Sequence, residues 1–66
     1  MMKETYELIL LKLRKDLKGF KEDVRDSLKD SYEDESAKIF HEIMIAKMIY
    51  CEDLIEFFED IYDHIN

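Results

Sequence analysis

The chain has 66 residues with one cysteine, one glycine and no proline, and 41% of its residues are charged, giving a formal net charge of −7. This length allows one small domain over residues 1–66, and a single cysteine excludes a disulfide within the chain. The acidic balance disfavours nonspecific attraction to nucleic acid and anionic lipid, and no solid apolar run is longer than four residues, as in residues 43–46, which is far too short for a membrane span.

The first predicted element is a helix over about residues 4–29. Apolar side chains recur there in steps of four and three residues, at Tyr6, Leu10, Leu13, Leu17, Phe20 and Val24. This spacing keeps them on one stripe of a helix. A basic strip with the same spacing lies on another face of this helix and consists of Arg14, Lys18, Lys21 and Arg25.

A turn is predicted over about residues 30–35. Ser31, with Asp34 three residues later, has the spacing of a helix cap, and the acidic residues that follow suit the positive end of a helix dipole. We therefore expect the second helix to begin near residue 33, with Ser31 as its cap, and to end near His64.

The second helix carries a stripe that mirrors the first in reverse order. Its members are Phe40, Met44, Lys47, Cys51, Leu54 and Phe58. Each pairs with a member of the first stripe so that the two residue numbers add to 64, which places Tyr6 against Phe58 and Leu13 against Cys51. The sequence thus predicts an all-α fold, an antiparallel two-helix hairpin in which Cys51 is a buried thiol.

Lys47 is the exception in this stripe, because it is predicted to project among apolar residues opposite Leu17. One interpretation is a snorkelling lysine, or a buried polar group that fixes the register with Asp16 as its partner. The alternative is a cation that contacts a carboxylate on another protein.

The second helix is also apolar beyond the stripe that one partner helix would cover. The flanking residues are Ile43, Met48, Tyr50, Ile55, Phe57 and Tyr62. Because a helix that is apolar all round is normally buried all round, we expect these residues to form an oligomer interface, most simply in a homodimer with a four-helix bundle.

In topology, length and acidity this arrangement resembles the Rop family of plasmid RNA-binding hairpin dimers. The resemblance implies an alternative function, in which a dimer binds nucleic acid through the basic strip. Acidic residues are interleaved with that strip and no exposed aromatic accompanies it, so nucleic acid is not the partner that we expect.

An acidic stripe is predicted on the outward face of the second helix, at Glu52, Glu56, Glu59, Asp60 and Asp63. Such a stripe is either a solvated face or a partner-binding surface that mimics nucleic acid, as in small acidic proteins of phages and mobile elements. The predicted function is a protein–protein interaction module, an inhibitor or adaptor. One unpaired cysteine and the lack of a cleavable apolar leader indicate the cytoplasm.

Catalysis, a metal, a cofactor and a small-molecule ligand are not expected. Metal sites in bundles use Glu-x-x-His pairs, but Lys38 precedes His41 and Ile61 precedes His64 at that spacing. The sequence contains no recognisable nucleophile–base pair and no glycine-rich loop.

Overall fold

A computed structural model describes residues 2–65, which form two antiparallel helices and no strand. Helix α1 spans Met2–Asp30 and helix α2 spans Glu35–Asp63. Each contains 29 residues, a length of about 43 Å at 1.5 Å per residue, and the hairpin measures 51 × 15 × 12 Å. The prediction of an all-α hairpin is confirmed.

The predicted stripe of α1 is confirmed in full, since all six of its residues are buried or half-buried. Two contacts also agree with the predicted register. The ring centroids of Tyr6 and Phe58 lie 5.9 Å apart, and the Cys51 thiol donates a hydrogen bond to the Leu13 carbonyl over 3.3 Å. Cys51 is buried as expected, and burial, with Asp16 and Glu52 nearby, raises the pKa of its thiol.

The stripe of α2 that faces α1 differs from the predicted one. Met44 and Cys51 are buried and Leu54 and Phe58 are half-buried, but Phe40 and Lys47 are exposed. The facing stripe is instead Ala37, His41, Met44, Met48, Cys51, Ile55, Phe58 and Tyr62. It keeps the steps of four and three, so the seam between the helices is continuous along their length.

Lys47 therefore does not project into the core opposite Leu17, and Asp16 is not its partner. Asp16 instead forms an ion pair with Lys12, whose Nζ lies 2.9 Å from Asp16 Oδ1. The physical reason is desolvation, since an ammonium in an apolar seam loses its hydration without a carboxylate to replace it. A small rotation of α2 replaces Lys47 with Met48 in the seam and returns the charge to water.

The beginning of α2 also corrects the prediction. Asp34 is the cap, and its carboxylate Oδ1 accepts a hydrogen bond from the Ala37 backbone N–H over 2.8 Å. Ser31 serves the end of α1, because its hydroxyl donates to the Leu28 carbonyl over 2.7 Å. Ser31 thus caps the end of α1 and Asp34 caps the beginning of α2, so α2 begins two residues later than expected.

The cap assignment predicts unequal effects of two similar substitutions. Asp34→Ala should lower the free energy of unfolding by about 1 kcal/mol, because it leaves a first-turn N–H of α2 without its acceptor. Ser31→Ala is the matched control and should cost less than about 0.5 kcal/mol, since Ser31 lies near the surface. Urea unfolding followed by circular dichroism measures both, and equal losses would contradict the assignment.

The rotation of α2 makes a second prediction. Ile55, 8% exposed, lies in the buried cluster with Leu10 and Cys51, whereas Ile49 is 50% exposed. Ile55→Ala should therefore destabilise the protein by about 2–5 kcal/mol, and Ile49→Ala should change its stability by less than about 0.5 kcal/mol. The urea midpoints of the two variants give the comparison, and a costly Ile49→Ala would refute this orientation of the helix.

Candidate functional site

The five predicted acidic residues are all exposed on α2 and line one shallow depression. Glu52, Glu56, Glu59 and Asp63 follow one another in steps of four and three residues and Asp60 lies four residues after Glu56, which places all five along one side of the helix, beside the seam. The depression has a volume of about 260 Å³, and Leu17 and Ile55 contribute apolar groups to its lining. The structure therefore brings the acidic stripe together as a concave surface with an apolar component.

Few cations compensate these carboxylates. In the described part of the chain, the one ion pair that reaches them joins Arg14 Nη2 to Glu59 Oε1 at 3.8 Å, and both side chains are solvent-exposed. From Cys51 to the end, the sequence has six acidic residues and no lysine or arginine. The side chains of the depression therefore maintain a negative potential that attracts cationic groups.

A second depression adjoins the first and shares Glu59 and Asp63 with it. It has a volume of about 360 Å³ and crosses to α1, where the Tyr62 hydroxyl donates a hydrogen bond to Glu7 Oε1 over 2.7 Å. This hydrogen bond is the main cause of a raised pKa at Tyr62, and the Glu7 charge contributes. This depression thus brings Glu7 of α1 beside the carboxylates of α2, together with the cation Arg14.

The basic strip of α1 is exposed at all four of its positions. Two of its members already face carboxylates, because Arg14 pairs with Glu59 and Arg25 Nε lies 3.7 Å from Asp26 Oδ1. The Arg14 contact also shows that this strip lies on the same side of the seam as the acidic depression. Neighbouring charges of opposite sign weaken the strip as a binding surface for phosphates.

The predicted oligomer interface divides between two locations. Ile55 is buried and Met48 and Tyr62 are half-buried in the seam, so the hairpin itself uses these three residues. Ile43, Tyr50 and Phe57 are 47%, 67% and 58% exposed. They form a continuous stripe of α2 with three residues that the prediction had assigned to the core. This apolar face consists of Phe40, Ile43, Lys47, Tyr50, Leu54 and Phe57, of which Leu54 is half-buried and the others are exposed.

A pair of polar side chains near the turn was not predicted. Ser27 is buried, and its hydroxyl lies 2.7 Å from His41 Nδ1 and 3.1 Å from the Val24 carbonyl that accepts its proton. Ser27 lines a depression of about 580 Å³ together with Phe40. Ser27 lies three residues after Val24 and continues the α1 stripe. Extending the predicted stripe by one step would therefore have identified Ser27 as a residue that faces α2. The pair links the two helices beside the turn.

Two further findings bear on metals and membranes. Among residues 2–65, no three His, Cys, Asp or Glu side chains are placed to share a metal ion. The ring of His64 instead makes a hydrogen bond of 2.6 Å with the Asp60 carbonyl. Neither α1 nor α2 has an apolar stretch long enough to cross a membrane.

Comparison with protein-family models, with curated proteins and with solved structures found no match to this chain.

The contact between Tyr62 and Glu7 makes a pH-dependent prediction. Tyr62 should ionise above the usual tyrosine pKa, because the neutral phenol donates to Glu7 and the phenolate would face a carboxylate. The contact therefore stabilises the fold below the pKa of unfolded tyrosine, and this stability is lost as the pH rises through the folded pKa.

Spectrophotometric titration of the four tyrosines measures the effect. Tyr62→Phe identifies the relevant transition by removing it. Glu7→Ala should lower the pKa of Tyr62 toward its usual value, with partial burial and the Asp63 charge still acting to raise it, and Glu7→Gln, which keeps an acceptor without the charge, should give a value between those of wild type and Glu7→Ala. A Tyr62 transition unmoved by Glu7→Ala would show that the hydrogen bond does not form in solution.

Proposed function

We propose that this chain is a small cytoplasmic protein-binding module that acts as a homodimer and inhibits or tethers a partner protein through its acidic depression. The observation that carries the proposal is the convergence of five carboxylates, with one arginine as counter-ion, on a concave surface that also contains apolar side chains. A partner with a basic surface gains charge complementarity and apolar contact from the same place.

The chemistry of the depression favours a partner that itself binds nucleic acid. Acidic residues three and four positions apart on a helix have Cβ atoms about 5–6 Å apart, so the helix backbone holds their carboxylates in a row. The row offers anionic groups without base edges, and the basic surface of a nucleic-acid-binding protein recognises such groups through the phosphate backbone. Occupying that surface is a direct mode of inhibition.

Homodimerisation is supported by the apolar face. Burying a large apolar side chain gains about 1.5–3 kcal/mol relative to leaving it in water, and Phe40, Tyr50 and Phe57 are each more than half exposed in a single hairpin. The cytoplasmic part of the proposal is supported by the free thiol of Cys51, which has no second cysteine in the chain to pair with.

The alternative is a dimer that binds nucleic acid through the basic strip, as the resemblance to the Rop family implies. The contacts of Arg14 and Arg25 with carboxylates weigh against it, as does the net charge of −7. A protein-binding function does not require Arg14 or Arg25 to leave its carboxylate partner.

Charge reversal within and outside the depression tests the proposed function. The triple variant Glu52→Lys, Glu56→Lys and Glu59→Lys should lose the partner, because it converts the depression to a cationic surface. The control Glu22→Lys, Glu33→Lys and Glu42→Lys makes the same change of net charge at exposed positions outside it. Proteins retained from the source cell by wild type and control, but not by the depression variant, are candidate partners.

The measurement that decides is direct binding of the purified partner. Affinity should fall steeply between about 50 and 200 mM salt if charge complementarity drives the contact, and the depression variant should bind at least about tenfold more weakly than the control. Equal binding by both variants would exclude the depression. Tight RNA or DNA binding that is lost in Arg14→Ala plus Lys18→Ala would overturn the proposal in favour of the alternative.

A further inference from the structure

The apolar face of α2 reads nearly the same in both directions. Phe40 and Phe57 lie at its two ends, Ile43 and Leu54 one turn further in, and Lys47 and Tyr50 about the centre. The members of each pair are equally distant from the midpoint between Met48 and Ile49. This midpoint also lies at the centre of Glu35–Asp63, so the whole helix is available on both sides of it.

We propose that a second copy of the chain docks on this face with its α2 antiparallel to the first, and that a twofold axis passes between Met48 and Ile49. The inference rests on the proposed homodimer and deepens it by assigning the contacts. Phe40 then packs against Phe57 of the second copy, Ile43 against Leu54 of the second copy, and Lys47 against Tyr50 of the second copy.

Twofold symmetry is the reason that the reversed pattern matters. In such an interface, if residue i contacts residue j of the second copy, then j contacts i. An antiparallel pair of helices therefore matches positions equally distant from the axis, and this face then matches aromatic with aromatic and aliphatic with aliphatic. A parallel arrangement would place Lys47 against its own copy, which like-charge repulsion disfavours.

Lys47 gains a specific partner in this arrangement. No acidic residue lies three or four positions from it on α2, since those positions hold Ile43, Met44, Tyr50 and Cys51, so its own helix offers it no ion pair of the usual spacing. Across the axis, the ring of Tyr50 of the second copy accepts the ammonium in a cation–π contact, and the lysine stem covers apolar surface. An otherwise unfavourable charge thereby specifies the register.

The size of the face agrees with a stable dimer. Ile39 borders the face, and this residue, Phe40, Ile43, Tyr50 and Phe57 are about half exposed or more. With about 150–250 Å² for an aromatic side chain, these five residues supply roughly 500 Å². The stem of Lys47, Leu54 and the adjoining edge of α1 extend this toward the approximately 800 Å² per partner of a standard interface.

Distance measurement between spin labels tests the register, after light scattering has established the dimer. In a Cys51→Ala background, a label at Ser36→Cys should give a separation of about 37 Å, because 25 helical residues separate the two copies of this position along the axis. A label at Ala46→Cys, close to the axis, should give less than about 20 Å. A parallel dimer gives short distances at both sites.

Charge exchange about the axis provides a second test that does not need labels. Tyr50→Lys should weaken the dimer at least about tenfold, because it brings two lysines of each copy together at the axis. Adding Lys47→Glu to Tyr50→Lys should restore the dimer, since the new glutamate then faces the new lysine of the second copy. Ile49→Lys, on the opposite flank of α2, is the control and should leave the dimer intact.

These experiments test the existence of the dimer and the register of its helices separately. A folded wild-type monomer at micromolar concentration overturns both, and would mean that a different protein covers the apolar face. A dimer with a short Ser36 distance, or one that Lys47→Glu fails to restore, overturns the register alone. Helical circular dichroism of each variant establishes that a lost dimer is not a lost fold.

Discussion

The orientation of α2 about its own axis is the constraint on which the rest of this structure depends. The buried cluster of Leu10, Cys51 and Ile55 fixes it, because these side chains meet only when the stripe that contains Cys51 and Ile55 faces α1. Once this stripe is buried, the helical period determines where every other α2 side chain lies. Lys47 and the apolar face are then placed on one flank of the seam and the carboxylates on the other.

The separation of these two flanks gives the proposed dimer its functional form. Two copies that meet through their apolar faces bury Tyr50 and Phe57 and leave Glu52 and Glu56 on the outer sides of the bundle. The dimer would therefore present two equivalent acidic surfaces that point away from each other. A partner with two basic sites, or two copies of one partner, would gain avidity from this arrangement without any additional contact.

The hairpin and its register could be predicted from the sequence, because α1 has one apolar stripe that runs along its length, whereas its other large apolar residues, such as Leu8 and Leu11, continue no second stripe. Helix α2 has two overlapping stripes that share Met44, Cys51 and Phe58, and periodicity alone does not choose between them. The residue that decides is Lys47, since burial of an unpaired ammonium costs more than the exposure of Phe40. The acidic depression could be predicted because its residues lie on the outward side in either orientation, whereas the Ser27–His41 contact depended on the rotation.

The shallow core of the hairpin connects stability to the proposed function. In the described chain, four apolar residues are buried and no side chain is below 2% exposure, so the seam shields its members only partly. A domain of this size is marginal on its own, and burial of the apolar face in the proposed dimer would add apolar contact. In the proposed dimer, folding and assembly would be linked by mass action, and stability would rise with protein concentration. Because each acidic depression has Ile55 in its lining, and Ile55 is part of the seam, assembly would also stabilise the surface that meets the partner.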